Sequence, residues 1–280
     1  MKIAITGGRG QLGRTLETAL HTRHQITSLD LPEIDVTQRD AIDTLARLAP
    51  DLVIHAAAMT DVDGCARNPD AAFRANALGT QNVALACQRA GAPMLYISTN
   101  EVFDGTKNAP YRELDEPRAI NPYGASKLAG ERYVQMLLNR FYIVRIAWLY
   151  SPGNANTFPS KILAGAKQNG SLAVVDDEIG NPTYAPDLAR AIAELIETNQ
   201  FGVYHLTGEG IASRYDWAAR ILQLAGLGHI PITRSKLADY PRASTPPRYG
   251  ALANFAAATT LGIQLRPWQD ALEEYFVSHR

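Results

Sequence analysis

Tyr123 and Lys127 stand four residues apart, a spacing that puts both side chains on one face of a helix. A lysine ammonium held beside a phenol stabilises the phenolate and so lowers the pKa of the tyrosine. A free tyrosine titrates about three units above neutral pH, so about 4 kcal/mol of differential stabilisation would make its proton transferable. The pair therefore indicates a proton donor or acceptor at a carbonyl oxygen. The same spacing also fits an ordinary surface pair.

A glycine-rich turn follows the first apolar run of the chain. Residues 3–6 predict a buried strand, and Gly7, Gly10 and Gly13 come next at intervals of three. Leucines at helical spacing follow, so the glycines lie between a strand and a helix, as a dinucleotide fingerprint requires. Glycines let the backbone approach a pyrophosphate, and the helix N-terminus attracts that anion. The residues expected to contact a dinucleotide here are Gly7, Gly10, Gln11 and Leu12.

Asp30 ends the second predicted strand, which begins at residue 25. An acid at this distance from the glycines holds the ribose hydroxyls of a dinucleotide and would repel the 2′-phosphate of NADP. Asp30 therefore favours NADH, although Arg14 beside the glycines is able to receive a phosphate and keeps NADPH open. The alternative for Asp30 is a turn residue ahead of Leu31 and Pro32.

Small residues follow the third predicted strand. Ala56, Ala57 and Ala58 would let a flat cofactor lie against the backbone at the carboxyl edge of the sheet, where open α/β sheets bind ligands. Tight packing of a helix on the strand is the alternative explanation. Asp35 and Val36 precede a predicted helix and are expected near the adenine.

The composition favours a cytoplasmic protein over a nucleic-acid-binding or membrane protein. The 280 residues carry a net charge of −1, so no polyanion-binding surface is indicated. Cys65 and Cys87 lack metal-ligand spacing and fit a reducing compartment. A signal peptide is not expected ahead of the first strand, and no apolar run approaches the length of a membrane span. No metal site is expected, because the last predicted helix offers no clear acidic site beyond Glu273 and Glu274.

Strand and helix patterns alternate from residue 2 to about 148, which predicts a parallel sheet covered by helices on both faces. We expect a Rossmann-type doubly wound α/β domain over 1–150 and a smaller substrate-binding lobe over 151–280, partly interleaved with the first. The predicted helices cover 11–21, 38–48, 70–90, 122–139, 157–168, 186–197, 214–224 and 267–277. Further strands are predicted at 94–98, 142–147, 173–175 and 203–206, and 235–250 is proline-rich and irregular.

Together these motifs resemble the extended short-chain dehydrogenase/reductases, and within them the dTDP-4-dehydrorhamnose reductase family. The resemblance covers nearly the whole chain. The matching stretches are Gly10-Gln11-Leu12-Gly13, 55–63, Asn76-Ala77, Val102-Phe103-Asp104-Gly105, 121–131, 145–150, Asn156-Thr157-Phe158 and Gly180-Asn181-Pro182-Thr183.

The resemblance implies reduction of the 4-keto group of a dTDP-linked 6-deoxysugar with NADPH or NADH, the last step to dTDP-rhamnose. It implies that Tyr123 donates its proton to the forming alkoxide and that Thr99 hydrogen-bonds the same oxygen. It also implies that Lys127 lowers the pKa of Tyr123 and binds the nicotinamide ribose. A strand-end cap is the alternative role of Thr99.

Contacts to the sugar or nucleotide are expected from residues in the matching stretches and beside them. These are Val62, Asp63, Asn100, Glu101, Phe103, Trp148, Asn156 and Phe158. Trp148 fits packing against the sugar and packing in the lobe core equally well. Asn156 also fits a cap of the following helix.

The chain departs from the reductase pattern after the fourth predicted strand. Asn100 and Glu101 stand where reductases carry aspartate and tyrosine, whereas the sister sugar-nucleotide dehydratases carry aspartate and glutamate there. An amide does not titrate, so Asn100 lacks the proton that elimination needs. We therefore expect reduction, with Glu101 as a loop carboxylate that binds sugar hydroxyls or a nearby base. His55 and Met59 also replace the more usual asparagine and tyrosine.

Two other function classes stay open at this point. One is a dehydratase or epimerase that retains NAD, and the other is a non-catalytic regulatory subunit, since some reductase-like proteins serve as binding partners. The intact Thr99, Tyr123 and Lys127 favour the enzyme. The family also suggests a homodimer.

Overall fold

The chain was analysed as a computed structural model that describes residues 1–277. The strands are β1 (Lys2–Thr6), β2 (Gln25–Leu29), β3 (Leu52–His55), β4 (Met94–Thr99), β5 (Phe141–Ile146), β6 (Leu149–Tyr150), β7 (Leu172–Val175), β8 (Ile179–Gly180), β9 (Thr183–Tyr184), β10 (Gly202–His205), β11 (Ala212–Ser213) and β12 (Ile232–Ser235). The helices are α1 (Gln11–Leu20), α2 (Ala41–Arg47), α3 (Val62–Arg67), α4 (Pro69–Phe73), α5 (Gly79–Ala90), α6 (Pro122–Leu137), α7 (Phe158–Asn169), α8 (Ala185–Leu195), α9 (Arg214–Leu224) and α10 (Trp268–Val277).

Six parallel strands form the central sheet, in the order β10-β5-β4-β3-β1-β2. The strand order reverses at β1, so a crevice opens between the carboxyl ends of β1 and β3. Strands β3 and β4 are buried along their whole length, as a sheet covered on both faces requires. The predicted doubly wound α/β fold is confirmed.

Helices cover both faces of this sheet, and each buries one apolar stripe. Helix α1 turns Leu12, Leu16 and Leu20 into a core that it shares with α8. Helices α2, α5 and α6 bury the opposite face. Because α6 lies beside β4, the helix that carries Tyr123 is held against the strand that ends at Thr99.

The second half of the chain contributes to two cores. Strand β10 and α8 complete the central sheet and its helical layer. The short strand pairs and the helices α7, α9 and α10 surround a separate aromatic core that contains Tyr150, Trp217 and Tyr275. The division of the chain at residue 150 stays a prediction.

Two predicted helices differ from the structure. The helix predicted over 70–90 is divided into α4 and α5 by a π-helical turn at Arg74–Leu78. The helix predicted from residue 38 begins at Ala41, because the preceding residues form a turn around Asp35. Within residues 1–277, no helix combines the length and the apolar character needed to cross a membrane.

Candidate active site

Local sequence fixes the start of α6 and therefore the position of Tyr123. Asn121 is the N-cap, and its Oδ1 accepts a hydrogen bond from the Gly124 N–H at 2.8 Å. Pro122 follows at the first helical position, where its lack of an N–H costs nothing. Gly124 has no room for a side chain, because a β-carbon there would lie 2.0 Å from the Glu101 carbonyl oxygen.

Thr99, at the end of β4, lies beside Tyr123. Its Oγ1 accepts a hydrogen bond from the Glu101 N–H at 3.2 Å, which also caps the short turn that follows the strand. Burial and the negative charge of Glu101 raise the pKa of Tyr123, and a hydrogen-bonding contact with the Thr99 side chain opposes that rise. The phenol therefore holds its proton firmly at neutral pH. This differs from the sequence expectation of a lowered pKa, because burial disfavours the phenolate.

Lys127 lies one helical turn beyond Tyr123 and is 3% exposed. Its Nζ is 4.2 Å from the centroid of the Tyr96 ring, a cation–π contact. Burial lowers the pKa of Lys127 to about 7, although the nearby Glu131 carboxylate opposes that change. The charge of this lysine is therefore poised to change near neutral pH.

A buried ion pair between Glu131 and Arg145 lies near Lys127. Both carboxylate oxygens of Glu131 accept hydrogen bonds from Arg145, at 2.9 and 2.7 Å, and Ser98 donates to the same carboxylate. The Glu131 and Arg145 side chains are 2% and 4% exposed. Sequence reasoning missed this pair, since its members lie on a helix and a strand that meet only in the fold.

The glycine turn abuts the row of small residues after β3. Gly7 has a φ of +74°, and a β-carbon there would lie 2.5 Å from the Ala57 nitrogen. A β-carbon at Gly13 would lie 2.2 Å from the Gly7 carbonyl oxygen. The structure thus brings the turn, Ala56, Ala57 and the start of α1 to the crevice between β1 and β3. The first N–H groups of α1 have no partner in the helix and suit a phosphate.

Asp30 closes the same crevice at the end of β2. Its carboxylate accepts hydrogen bonds from the backbone N–H groups of Arg9 and Leu31, both at 2.9 Å. A cavity of about 280 Å³ lies beside it, and both Arg9 and Arg14 line that cavity. The pocket therefore presents three acids, Glu17, Asp30 and Glu33, and two bases where a ribose would lie.

Asp35 and Val36 occupy the turn before α2. The Asp35 carboxylate accepts hydrogen bonds from Thr37, which lowers its pKa, and Val36 is buried against Gly79. Asn82 donates to the Val36 carbonyl at 2.9 Å. Both residues have local structural roles, and their contact with an adenine stays a prediction.

Asn76 connects the loop after β3 to α6, the helix that carries Tyr123. Its side chain accepts from the Met59 N–H at 2.8 Å and donates to the Met59 carbonyl and to the Ser126 hydroxyl, both at 3.0 Å. Ser126 in turn donates to the Tyr123 carbonyl at 2.8 Å. The π-helical turn around Asn76 places this fully buried amide. In the sequence, Asn76 stands out only as part of a stretch that matches the reductases, and nothing there indicates its role.

Asn100 and Glu101 follow Thr99 directly and have different partners. The buried Asn100 amide donates to the Gly250 carbonyl at 3.0 Å. Glu101 Oε2 accepts from Asn121 Nδ2 at 2.6 Å. Burial raises the pKa of Glu101 to about 7, and the Asn121 hydrogen bond opposes the rise. Asn100 thus holds a distant loop, and Glu101 is a titratable group beside Tyr123.

Residues 236–250 form a strap that runs from β12 across to α3 and α6. Arg242 donates to both oxygens of Asp63, at 3.1 and 3.2 Å, and the Ser244 N–H adds a third bond at 2.9 Å. The Thr245 carbonyl accepts from Asn121 at 3.0 Å. Asp63, predicted to contact substrate, therefore holds the strap. Its neighbour Val62 begins α3 and is half-buried.

Trp148 lies in an aromatic group of the lobe. Its ring stacks on Trp217, with centroids 5.7 Å apart, and the Arg214 guanidinium carbon is 3.7 Å from the Trp148 centroid. Phe158 also stacks on Trp217, with ring centroids 4.6 Å apart. Trp148 has a φ of +44°, a left-handed conformation that is rare for a bulky residue and is often found at functional sites. It packs in the lobe core while part of its surface stays exposed.

Two predicted substrate residues need correction. Phe103 is fully buried and stacks on Tyr111 at 4.3 Å, so its ring is part of a packed cluster and is not available to a substrate. The alternative role of Asn156 as a helix cap is wrong, because Thr157 caps α7 through its Oγ1. Asn156 is exposed in the loop before that cap.

A cleft of about 740 Å³ lies between the start of α1, the loop after β6 and the start of α8. The Gln11 side chain reaches across this cleft to the loop after β6, where its amide oxygen accepts hydrogen bonds from the Tyr150 and Ser151 N–H groups at 3.3 and 3.2 Å. Among residues 1–277, no cluster of three or more metal-ligating side chains is present. Glu273 and Glu274 are each paired with an arginine, Arg220 and Arg266.

Comparisons with known proteins agree with this geometry. A family model described as RmlD substrate binding domain matches residues 1–280. A dTDP-4-dehydrorhamnose reductase of Aggregatibacter actinomycetemcomitans is 35% identical over 286 residues, with 97% of each chain covered. A dTDP-4-dehydrorhamnose reductase structure from Clostridium acetobutylicum has a TM-score of 0.96 and 37% identity, and the match covers 100% of this chain and 99% of that one.

A second solved relative carries a dinucleotide. The dTDP-4-dehydrorhamnose reductase of Bacillus anthracis, in complex with NADP, has a TM-score of 0.95 and 34% identity, with 99% of each chain covered. The chain belongs to the dTDP-4-dehydrorhamnose reductase family.

Proposed function

We propose that the protein uses NADPH or NADH to reduce the 4-keto group of a nucleotide-linked 6-deoxysugar, converting dTDP-4-dehydro-L-rhamnose to dTDP-L-rhamnose. The observation that carries this proposal is the contact of Tyr123 with Thr99 at the carboxyl end of β4, with Lys127 one turn further along α6, in a chain of this reductase family. A non-catalytic subunit would not need a buried lysine poised near neutral pH one helical turn from a half-buried tyrosine.

The residues present fit a dinucleotide. The close approach of Gly7 to Ala57, and of Gly13 to Gly7, leaves bare backbone at the crevice. Gly10, Gln11 and Leu12 would bind the pyrophosphate, while Ala56, Ala57 and Ala58 would lie along the cofactor. Asp30 would bind the adenosine ribose, and Asp35 and Val36 would lie near the adenine. Bound NADPH or NADH would supply the hydride.

Tyr123 would then give its proton to the ketone oxygen. Its raised pKa keeps the phenol protonated at neutral pH, so the donor still carries its proton when the alkoxide forms. Thr99 would donate a second hydrogen bond to the same oxygen and hold it in place. Lys127, when protonated, would stabilise the resulting phenolate and bind the nicotinamide ribose.

Asn100 supports reduction over dehydration. Its amide is buried and donates to the Gly250 carbonyl, so it carries no transferable proton at the position where elimination needs an acid. We propose that Val62, Glu101, Trp148, Asn156 and Phe158 contact the sugar nucleotide. Asp63 and Asn100 would act indirectly, by holding the strap and the loop at Gly250.

The test is a steady-state assay of the purified chain. We expect dTDP-4-dehydro-L-rhamnose to cause oxidation of NADPH or NADH with formation of dTDP-L-rhamnose. Tyr123→Phe should lower kcat by about 10² to 10⁴ because the proton donor is lost. Absence of cofactor oxidation with both dinucleotides would overturn the proposal.

The remaining expectations follow from this reaction. A cytoplasmic location is proposed because nucleotide sugars and reduced dinucleotides are made there, and cell fractionation tests it. A homodimer stays a prediction, which sedimentation of the purified chain tests.

A further inference from the structure

The protein holds the Glu101 side chain through one of its two carboxylate oxygens. Asn121 Nδ2 donates to Glu101 Oε2 at 2.6 Å and to the Thr245 carbonyl at 3.0 Å, while Asn121 Oδ1 accepts from the Gly124 N–H. The Asn121 amide is 3% exposed, and its oxygen is committed to capping α6, so the amide cannot turn over. The orientation of the Glu101 carboxylate is therefore fixed from the protein side.

The other oxygen of this carboxylate has no protein partner. Among residues 1–277, Glu101 Oε1 makes no hydrogen bond, although the side chain is half-buried. This oxygen is not among the fully buried atoms that lack a partner, so a ligand is able to reach it. A ligand that brings a hydroxyl to this oxygen would supply the donor that the protein does not.

The position of Glu101 indicates which hydroxyl of the sugar would reach this oxygen. Its N–H binds the Thr99 hydroxyl at 3.2 Å, its carbonyl touches Gly124, and its charge acts on the Tyr123 phenol. Thr99 and Tyr123 mark the ketone oxygen on C4 of the sugar. In a 6-deoxysugar the neighbour C5 carries a methyl group, which donates no hydrogen bond. The other neighbour, C3, carries a hydroxyl.

We propose that Glu101 is a specificity-determining residue whose free oxygen accepts a hydrogen bond from the C3 hydroxyl beside the keto group. The enzyme then selects 4-keto-6-deoxysugars that carry this hydroxyl and rejects their 3-deoxy analogues. This inference rests on the proposed reduction. Asn121 is the positioning residue that aims the carboxylate.

The charge of Glu101 makes this selection dependent on pH. The charged and titratable groups that interact with its charge lie on five elements around it, namely Tyr123 on α6, Cys65 on α3, Arg214 on α9, Arg242 on the strap and Glu178 beside β8. Burial is the largest influence and brings the pKa of Glu101 to about 7. A carboxylate accepts more strongly than a carboxylic acid, so the preference for the C3 hydroxyl should grow as pH rises through neutrality.

The experiment compares two ketones on the unmodified chain. We expect kcat/KM for the dTDP-linked 4-keto-6-deoxysugar to exceed that for its 3-deoxy analogue by at least about 100-fold, because the analogue leaves a polar group unpaired. The excess should increase between about pH 6 and about pH 8. Equal kcat/KM values for the two ketones would overturn the inference while leaving the proposed reduction intact. Reduction of neither ketone would instead overturn the proposed function.

Variants then assign the preference to one side chain. Glu101→Ala should remove the preference, mainly through a higher KM for the hydroxylated ketone, and Glu101→Gln should keep a smaller preference without its pH dependence. Glu116→Gln, at an exposed glutamate of the same half of the chain, is the matched control and should match the unmodified chain. A preference that survives in Glu101→Ala would contradict the proposal. The two-ketone comparison does not depend on whether the variants fold.

Discussion

The Glu101 carbonyl oxygen lies where Gly124 would otherwise carry a side chain, 2.0 Å from the position of a β-carbon. The first turn of α6 thus rests directly on the turn that follows β4. Tyr123, on α6, and Thr99, at the end of β4, owe their proximity to this contact. The glycine is therefore required for the placement of Tyr123 beside Thr99 as well as for packing.

Gly124→Ala should damage both stability and catalysis. The added methyl group must push α6 away from the backbone it touches, because backbone cannot move aside by changing rotamer as a side chain can. We expect the free energy of unfolding to fall by about 1–3 kcal/mol. A displacement of about 1 Å at Tyr123 should lower kcat by about 100-fold. Urea unfolding and steady-state kinetics measure the two effects. The control is Gly228→Ala, where the nearest atom to a β-carbon is 4.0 Å away and little change is expected. Full activity in Gly124→Ala would contradict the packing argument.

The rate of reduction should fall as pH rises through neutrality. Burial lowers the pKa of Lys127 to about 7, so the ammonium that stabilises the Tyr123 phenolate is present below that pH and is lost above it. The phenol itself keeps its proton throughout this range, since its own pKa is raised. The pH profile of kcat/KM should be recorded in Glu101→Gln, which removes the other group that titrates near pH 7. Lys127→Met should be slow and independent of pH in this window, and a rate that increases above pH 7 would contradict this role.

Glu131→Gln should destabilise the fold strongly. The change leaves the Arg145 guanidinium, 4% exposed, without its counter-charge, and breaking a buried pair in this way costs about 3–5 kcal/mol. Replacing both residues with methionine should recover much of that loss, because the lone charge disappears. The exposed pair Arg89–Asp43 is the control, and Asp43→Asn should cost less than about 1 kcal/mol. Urea unfolding measures these changes in the free energy of unfolding. A loss for Glu131→Gln as small as that of the control would contradict the role of the Glu131–Arg145 pair in stability.

Asp30 should bias the enzyme toward NADH. Its carboxylate lies in the cavity that Arg9 and Arg14 also line, where it would repel a 2′-phosphate. Asp30→Asn should raise the ratio of kcat/KM for NADPH to that for NADH by about tenfold, or about 1.4 kcal/mol. Arg14→Gln should lower the same ratio, since it removes a cation from that cavity. A ratio that does not respond to either change would show that the phosphate lies elsewhere.

The elements that sequence predicted well are those set by local pattern. The glycine turn lies between β1 and α1, and Tyr123 and Lys127 share α6, both as predicted. These features were predictable because the patterns typical of strands, turns and helices appear within short stretches of sequence. Thr99 lies at the end of β4, one residue beyond the predicted strand, and its role was inferred from the resemblance to the reductases. These residues needed no knowledge of distant contacts.

The parts that sequence missed depend on contacts across the chain. Asp63 and Arg242 are 179 residues apart, so the sequence showed the strap only as a proline-rich stretch and did not indicate that Asp63 binds it. Phe103 belonged to a matching motif, yet tertiary packing buries it. The direction of the pKa shift of Tyr123 was wrong for a similar reason, since burial outweighs the benefit expected from a neighbouring lysine.

The most direct test of the account follows a hydrogen isotope. Reduced dinucleotide that carries deuterium at the transferable position should be supplied with dTDP-4-dehydro-L-rhamnose, and the product analysed by NMR. The account predicts deuterium bound to C4 of dTDP-L-rhamnose, with the transfer slowed by about 10² or more in Tyr123→Phe. Product without deuterium at C4, or no reduction of the ketone at all, would contradict it.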